Sequence, residues 1–235
     1  MTEITDALSM AVHLLVTLDS TLAEIVGLSL YVSITAVVVA TIIGVPLGAA
    51  VAMLRFPGRS AVQVTLNALM GLPPVVVGLG VYLLLSRAGP LGVFGLLYTP
   101  TAMIIAQVVL VTPIIAALSR QVIEDLWRVY QEQLTSLGCT PGRALPTLIR
   151  DGRYSLFTAV LAGFGRATAE VGAVMIVGGN IDHVSRVMTT AIALEVSKGD
   201  LALALALGMV LLTISITIGG AAHAFKERSE RRAMS

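Results

Sequence analysis

GFGRATAEVGAVMIVGGN, residues 163–180, decides how the whole chain is read. It lies in an apolar run, 155–178, and roughly 20 mostly apolar residues suffice to cross a bilayer. Yet Arg166 and Glu170 sit near its middle, four residues apart. A charge at mid-bilayer costs on the order of 2.5–3.5 kcal/mol on insertion scales, so both groups must face protein or water. On one continuous helix, four residues apart puts them on one face within pairing reach. Two readings stay open. The pair is a salt bridge tying this helix to its neighbours or to a second copy. Alternatively it faces a water-filled path, where Arg166 attracts an anion and Glu170 holds or gates that arginine.

The rest of the composition agrees with a membrane solvent. Of 235 residues 56% are hydrophobic and 12% charged, against about 25% charged in a soluble domain. Mean hydropathy is +0.91. A net charge of +1 gives no nucleic-acid signal. One cysteine, Cys139, excludes an internal disulfide, and its position is read as incidental. Three scattered histidines make no metal site. No Lys or Arg precedes Arg55, which argues against a secretory signal, so the N-terminus is expected to be retained.

Five segments are long and apolar enough to span: 27–54, 61–86, 98–119, 155–178 and 201–222. Ile4, Leu8, Ala11, Leu15 and Leu18 form one apolar stripe in a run too short to span, which suits an interfacial helix. The expectation is an all-α polytopic membrane protein of five transmembrane helices plus an N-terminal interfacial helix. Its parts are 1–24, the interfacial helix on the outer side; 25–223, the transmembrane domain; and 224–235, a basic tail. Placing 119–154 in the cytoplasm puts eleven of fifteen Lys and Arg inside, which orients the N-terminus outside and the C-terminus in the cytoplasm. No internal repeat is visible, which weighs against a secondary transporter built from inverted halves.

The inner segment 119–154 has structure of its own. Ile123, Leu126, Trp127, Tyr130, Leu134 and Leu137 recur at helical steps. Gly138 is placed to end that helix, and Thr140 and Pro141 to cap and start a second one. The two helices either pack on their own membrane domain or dock a cytoplasmic partner. Pro73-Pro74 marks either a kink or a broken helix lining a path, since irregular backbone is tolerated beside a cavity. Gly178-Gly179-Asn180 ends the fourth span as a cap and turn, or serves as an outer gate. No phosphate-binding glycine loop ending in Lys-Ser or Lys-Thr occurs, so ATP has no recognisable site in this chain. No nucleophile and base stand together, and the spans lack paired carboxylates, which argues against a hydrolase.

EQLTSLGCTPGRALPTLI, 132–149, is similar to the cytoplasmic loop of ABC importer permeases: Glu-Ala-Ala, three residues, Gly, nine residues, Ile, any residue, Leu-Pro. Glu132 and Gly138 match at the right spacing. Gln133 and Leu134 replace the alanines, Leu148 stands for the Ile, and Arg150-Asp151 replace the closing Leu-Pro. LPPVVVGLGVYLLLS (72–86) resembles the double-proline helix of the oxyanion-type permeases. GFGRATAEVGAVMIVGGNI with RVMTTAIALEVSKGD (186–200) looks most like the tungstate branch, with molybdate permeases second.

The resemblance covers roughly 25–222 and implies a type I ABC importer permease in the plasma (inner) membrane. Such a permease acts as a homodimer with two cytoplasmic ATPase subunits, which carry ATP and Mg, and an extracytoplasmic oxyanion-binding protein. It implies no cofactor in this chain and no enzymatic activity of its own. On this resemblance Glu132, Leu137, Gly138, Thr140 and Pro141 couple to the ATPase. Arg166, Glu170, Pro73, Pro74 and Asn180 line or gate the path. The loop 181–200 is read as a solvated face or a landing place for the binding protein. An ATP-independent channel or secondary transporter, and a membrane scaffold, are the competing classes.

Overall fold

The computed structural model describes residue 9 and residues 20–54 and 56–234, leaving aside the side chains of 225 and 229–234. Among the described residues the regular structure is helical throughout. The helices are α1 (Ser20–Met53), α2 (Arg59–Leu69), α3 (Pro74–Leu85), α4 (Pro100–Ser136), α5 (Pro141–Asp151), α6 (Arg153–Thr168), α7 (Gly172–Gly178), α8 (Met188–Lys198) and α9 (Leu201–Met234), with a short 3-10 turn at Gly92–Phe94. Three helices, α1, α4 and α9, are long and apolar enough to cross a membrane. The pairs α2 with α3 and α6 with α7 bring the number to five if each counts as one broken span.

Of the two readings of Pro73-Pro74, a kink or a broken helix, the structure has the broken helix, and the 155–178 segment is broken as well. Pro73 is extended, at φ −64° and ψ 120°, and Pro74 is the first residue of α3. A residue before proline is pushed out of the helical region, so the first proline cannot continue α2 into α3. The dipeptide therefore ends one helix and starts another rather than kinking one. The second break, 169–171, has no proline and depends on tertiary bonds described below. Two further boundaries differ from the sequence reading. Ser20–Glu24, assigned to the interfacial helix, belong to α1, and the rest of that segment apart from Ser9 lies outside the described residues. The 181–200 loop is not simply a solvated face. It contains α8, whose Met188, Thr190 and Ala191 are buried.

The chain divides into two compact units. The first comprises Met1–Ala36, Pro73–Gln107 and Ala167–Ala221, and the second comprises Val37–Leu72, Val108–Arg166 and Ala222–Ser235. In the first, Leu22, Met188, Ala191, Leu207 and Val210 form one buried cluster. α3 packs on α7 at Gly78, where a Cβ would lie 2.7 Å from Ala173 Cα. In the second, Ala49, Ala52, Met53, Ile123, Ala144, Leu148 and Leu156 join α1, α4, α5 and α6. Ile123 and Leu148 are fully buried. Outside lipid, burial of such a side chain contributes about 1.5–3 kcal/mol, which favours packing of 119–154 on its own unit.

Within lipid that driving force is absent, and close packing of small residues takes over. Gly48 shows it most sharply. A Cβ there would strike the Ala116 carbonyl oxygen and come within 2.8 Å of the Arg120 amide nitrogen, both on the backbone of α4. Backbone atoms cannot swing aside as side chains do, so overpacking here costs on the order of 1–3 kcal/mol or more. Gly48→Ala is expected to lower the melting temperature of the detergent-solubilised protein. Gly142→Ala, where the added Cβ meets nothing within 4 Å, leaves it unchanged or slightly raised; differential scanning fluorimetry compares the two.

Candidate functional site

The break at 169–171 leaves backbone groups without their helical partners. α6 stops at Thr168, and Glu170 lies beyond its end. This corrects the derivation that placed Arg166 and Glu170 on one face of one helix: the helical repeat does not reach Glu170. Arg166 is half-buried in the last turn of α6. Glu170 is 3% exposed.

Three side chains satisfy the break. Gln107, 4% exposed, sends Nε2 to the Ala167 carbonyl at 3.2 Å. Thr189 on α8 donates its hydroxyl to the Glu170 carbonyl at 2.8 Å. Glu170 Oε1 accepts the Ala173 N–H at 3.0 Å, in the first turn of α7. A carboxylate at a helix start meets orphan N–H groups and the positive end of the helix dipole, so its charge is stabilised there without leaving the protein. The sequence reading singled out Glu170 but missed Gln107 and Thr189, because nothing in their neighbourhood of the sequence marks them. Only the meeting of α4, α8 and the break reveals their roles.

Pro73 and Pro74 stand at the start of α3, in the same unit as Glu170. A Cβ on Gly172 would meet Val75 Cγ2 at 3.1 Å, so the first turns of α3 and α7 lie side by side. Asn180 follows the left-handed C-cap Gly179 and is itself at φ 51°. Its Oδ1 is buried and has no hydrogen-bond partner among the described residues. The turn is held by Ser185, whose hydroxyl donates to the Gly178 carbonyl and accepts the Ile181 N–H.

The other predicted residues gather at the α4–α5 turn. Glu132, Leu137, Gly138, Thr140 and Pro141 are all exposed, Leu137 at 81%. Gly138 adopts φ 73°, the left-handed cap that lets α4 stop. The Cys139 N–H then donates to the Leu134 carbonyl at 2.8 Å. Thr140 occupies the cap position of α5 without a side-chain cap bond. Beside this turn lies a groove of about 360 Å³, lined by Tyr130, Leu134, Leu137, Leu148 and Asp151 among others. Hydrogen bonding to the Asp151 carboxylate holds the Tyr130 phenol above its usual range.

α4 continues unbroken from its apolar part into this turn, and one charge cluster fastens it to α1. Arg59 donates to the Val51 and Ala52 carbonyls, both at 2.8 Å, capping the last turn of α1. Glu124 on α4 accepts hydrogen bonds from Arg120 at 2.6 Å and Arg128 at 3.5 Å and forms an ion pair with Arg59 at 3.7 Å. The i,i+4 spacing of Arg120, Glu124 and Arg128 is local to α4, though the sequence reading did not use it. The sequence reading also missed the capping role of Arg59.

Residues 44–230 match the family of binding-protein-dependent transport system inner membrane components. The chain belongs to that family. The permease is 42% identical over 217 residues to the tungstate uptake system permease protein TupB of Peptoclostridium acidaminophilum, covering 92% of this chain and 95% of the relative. It is 40% identical over 216 residues to the probable anion ABC transporter permease protein of Haloferax volcanii, covering 90% and 93%. Over 172 residues it is 38% identical to TupB of Campylobacter jejuni, covering 73% and 72%. The permease is thus a multi-pass membrane subunit of an ABC importer, a transporter component and not an enzyme.

Two measurements test the site. Glu170→Ala leaves the buried Ala173 N–H without this acceptor, a loss of about 1–3 kcal/mol, whereas Glu170→Gln keeps an acceptor oxygen. Thermal unfolding of the purified permease should rank wild type above Gln and Gln above Ala. The second concerns His183, whose Nδ1 lies 2.8 Å from Glu24 Oε2. Bonding to Glu24, aided by Asp182, raises the imidazole pKa against the opposing effects of burial and Arg186. A raised folded value means the stabilisation is fully present below the unfolded value, about 6.5, and is lost as pH rises through the folded one. Amide exchange in 181–187, corrected for its intrinsic pH dependence, should accelerate across that interval and lose the step in His183→Gln.

Proposed function

We propose that the permease forms, with a second copy of itself, the translocation path of an ATP-driven importer for a tetrahedral oxyanion, tungstate first. The observation that carries this reading is the match to a tungstate uptake permease over more than nine-tenths of both chains. Two cytoplasmic ATPase subunits supply the hydrolysis with ATP and Mg, and an extracytoplasmic binding protein delivers the anion. In this reading 119–154 and the C-terminal tail face the cytoplasm and the N-terminus faces outward, following the bias in Lys and Arg.

The α4–α5 turn is the mechanical link. Glu132, Leu137, Gly138, Thr140 and Pro141 meet the ATPase, and the exposure of Leu137 supports a contact made by another chain. Because α4 is one helix from Pro100 to Ser136, displacement of the turn carries into the membrane. The ATPase dimer then shifts a two-state equilibrium by binding one arrangement of the permease better than the other.

Arg166, Glu170, Pro73, Pro74 and Asn180 serve the path. Their chemistry suits an anion that is attracted and released rather than held. Arg166 offers a positive charge, and the carboxylate of Glu170 at the break limits how strongly an anion settles there. Discrimination among tungstate, molybdate and sulfate belongs to the binding protein, since a single cation in the path attracts all three.

Uptake into proteoliposomes with the ATPase and binding protein tests the assignment. Wild type imports tungstate only with ATP and both partners. Arg166→Ala is expected to cut uptake at least about tenfold, the effect of losing one charged contact, while the complex still assembles. Normal uptake by Arg166→Ala removes the arginine from the path, and flux through the permease alone overturns the importer reading. Gly138→Val, strained at a positive φ, should uncouple ATP hydrolysis from uptake.

A further inference from the structure

The segment 86–98 holds none of the residues assigned to the path or to the α4–α5 turn. Ser86 ends α3 in an extended conformation, and its hydroxyl donates to the Leu83 carbonyl at 3.1 Å. The chain then folds back on that helix end. The Leu91 N–H donates to the Leu84 carbonyl at 3.0 Å, and the Gly89, Gly92 and Phe94 amides bond to Ser86, Gly89 and Leu91 at 2.8, 3.1 and 3.2 Å. This internal bonding fixes the tip, and the tip is apolar: Val93 is 95% exposed and Phe94 69%.

Beside it lies a cavity of about 500 Å³ lined by Tyr82, Ser86, Arg87, Gly92 and Tyr98 among others. Arg87 is exposed and makes no hydrogen bond or ion pair with any described residue. Tyr98 adopts φ 66°, a left-handed conformation that costs a bulky residue on the order of 1–3 kcal/mol. Its N–H bonds to the Val177 carbonyl at 2.9 Å, and its ring meets Tyr82 edge to face with centroids 6.5 Å apart. The strained backbone thus sets an aromatic wall beside an unpaired guanidinium.

Water and hydrocarbon each suit only half of this arrangement. Exposing Val93 and Phe94 to water is unfavourable by about 25 cal/mol per Å² of apolar area. Sinking Arg87 into acyl chains is unfavourable by several kcal/mol. The boundary between them suits both, with the apolar tip among the acyl chains and the tyrosines and arginine at headgroup level. There the partner offered to a free guanidinium is a phosphate, whose oxygens match its planar fork.

The geometry points to a phospholipid-phosphate site at Arg87, walled by Tyr82 and Tyr98 and anchored by Val93 and Phe94. It rests on the chain being a membrane protein and is independent of the transported anion.

Native mass spectrometry of the full-length permease, delipidated and titrated with phosphatidylglycerol, tests it. Wild type is expected to retain a tightly bound lipid. Arg87→Ala lowers its occupancy about tenfold, the scale of one charged hydrogen bond, Arg87→Lys less so, and Lys198→Ala not at all. Equal retention by Arg87→Ala overturns the site. So does displacement of the lipid by millimolar inorganic phosphate, which marks a free-anion site. Disulfide crosslinking of Val93→Cys between two copies also overturns it, since the tip is then covered by protein. Unchanged elution volume and melting temperature establish folding; if Arg87→Ala fails there, Arg87→Lys and Phe94→Ser carry the comparison.

Discussion

A backbone carbonyl or amide freed by a helix break inside a bilayer has no water to bond, and leaving it unsatisfied costs several kcal/mol. Most of what distinguishes this permease from a plain bundle answers that constraint. Gln107 and Thr189 bond the carbonyls of Ala167 and Glu170, and the Glu170 carboxylate takes an amide at the start of α7. Where α1 ends, the Arg59 guanidinium takes the Val51 and Ala52 carbonyls. Where α7 ends, Ser185 takes the Gly178 carbonyl. At these three places a side chain from beyond the helix takes a backbone group that the helix itself leaves unbonded.

This reverses the usual view of the buried charge. Glu170 looks like an isolated expense when the segment is drawn as one apolar helix. Once the helix is known to stop at Thr168, a carboxylate at 170 is what the next helix start requires. The break and the charge therefore support each other, and one residue serves both structure and the proposed path. The same logic links Arg59 to the α4–α5 turn. By capping α1 and sharing Glu124 with Arg120 and Arg128, it ties the rigid end of one helix to the helix that carries the turn.

Much of this was legible beforehand because it depends on composition and short-range pattern. Apolar runs of spanning length located α1, α4, α9 and the two broken pairs. Gly138, Thr140 and Pro141 announced the α4–α5 turn through local backbone preferences. The double proline marked either a kink or a break by the same steric rule, and the structure decided for the break. What failed was the extrapolation of a helical repeat through 169–171, where no proline or cap residue warns of an interruption. α8 was missed for a related reason: its charges suggested solvent, while Met188, Thr190 and Ala191 face the core.

By itself, then, the sequence determined the membrane as solvent, the apolar segments and the position of the α4–α5 turn. These follow from how much apolar length is available and from what Gly and Pro do to the nearest few residues. Only the tertiary structure decided that Arg166 and Glu170 belong to different backbone contexts, that Gln107 and Thr189 hold the break open, and that Tyr98 is strained beside Arg87. Each depends on residues far apart in the chain completing one another's hydrogen bonds or packing, and no local pattern encodes a partner 60 positions away.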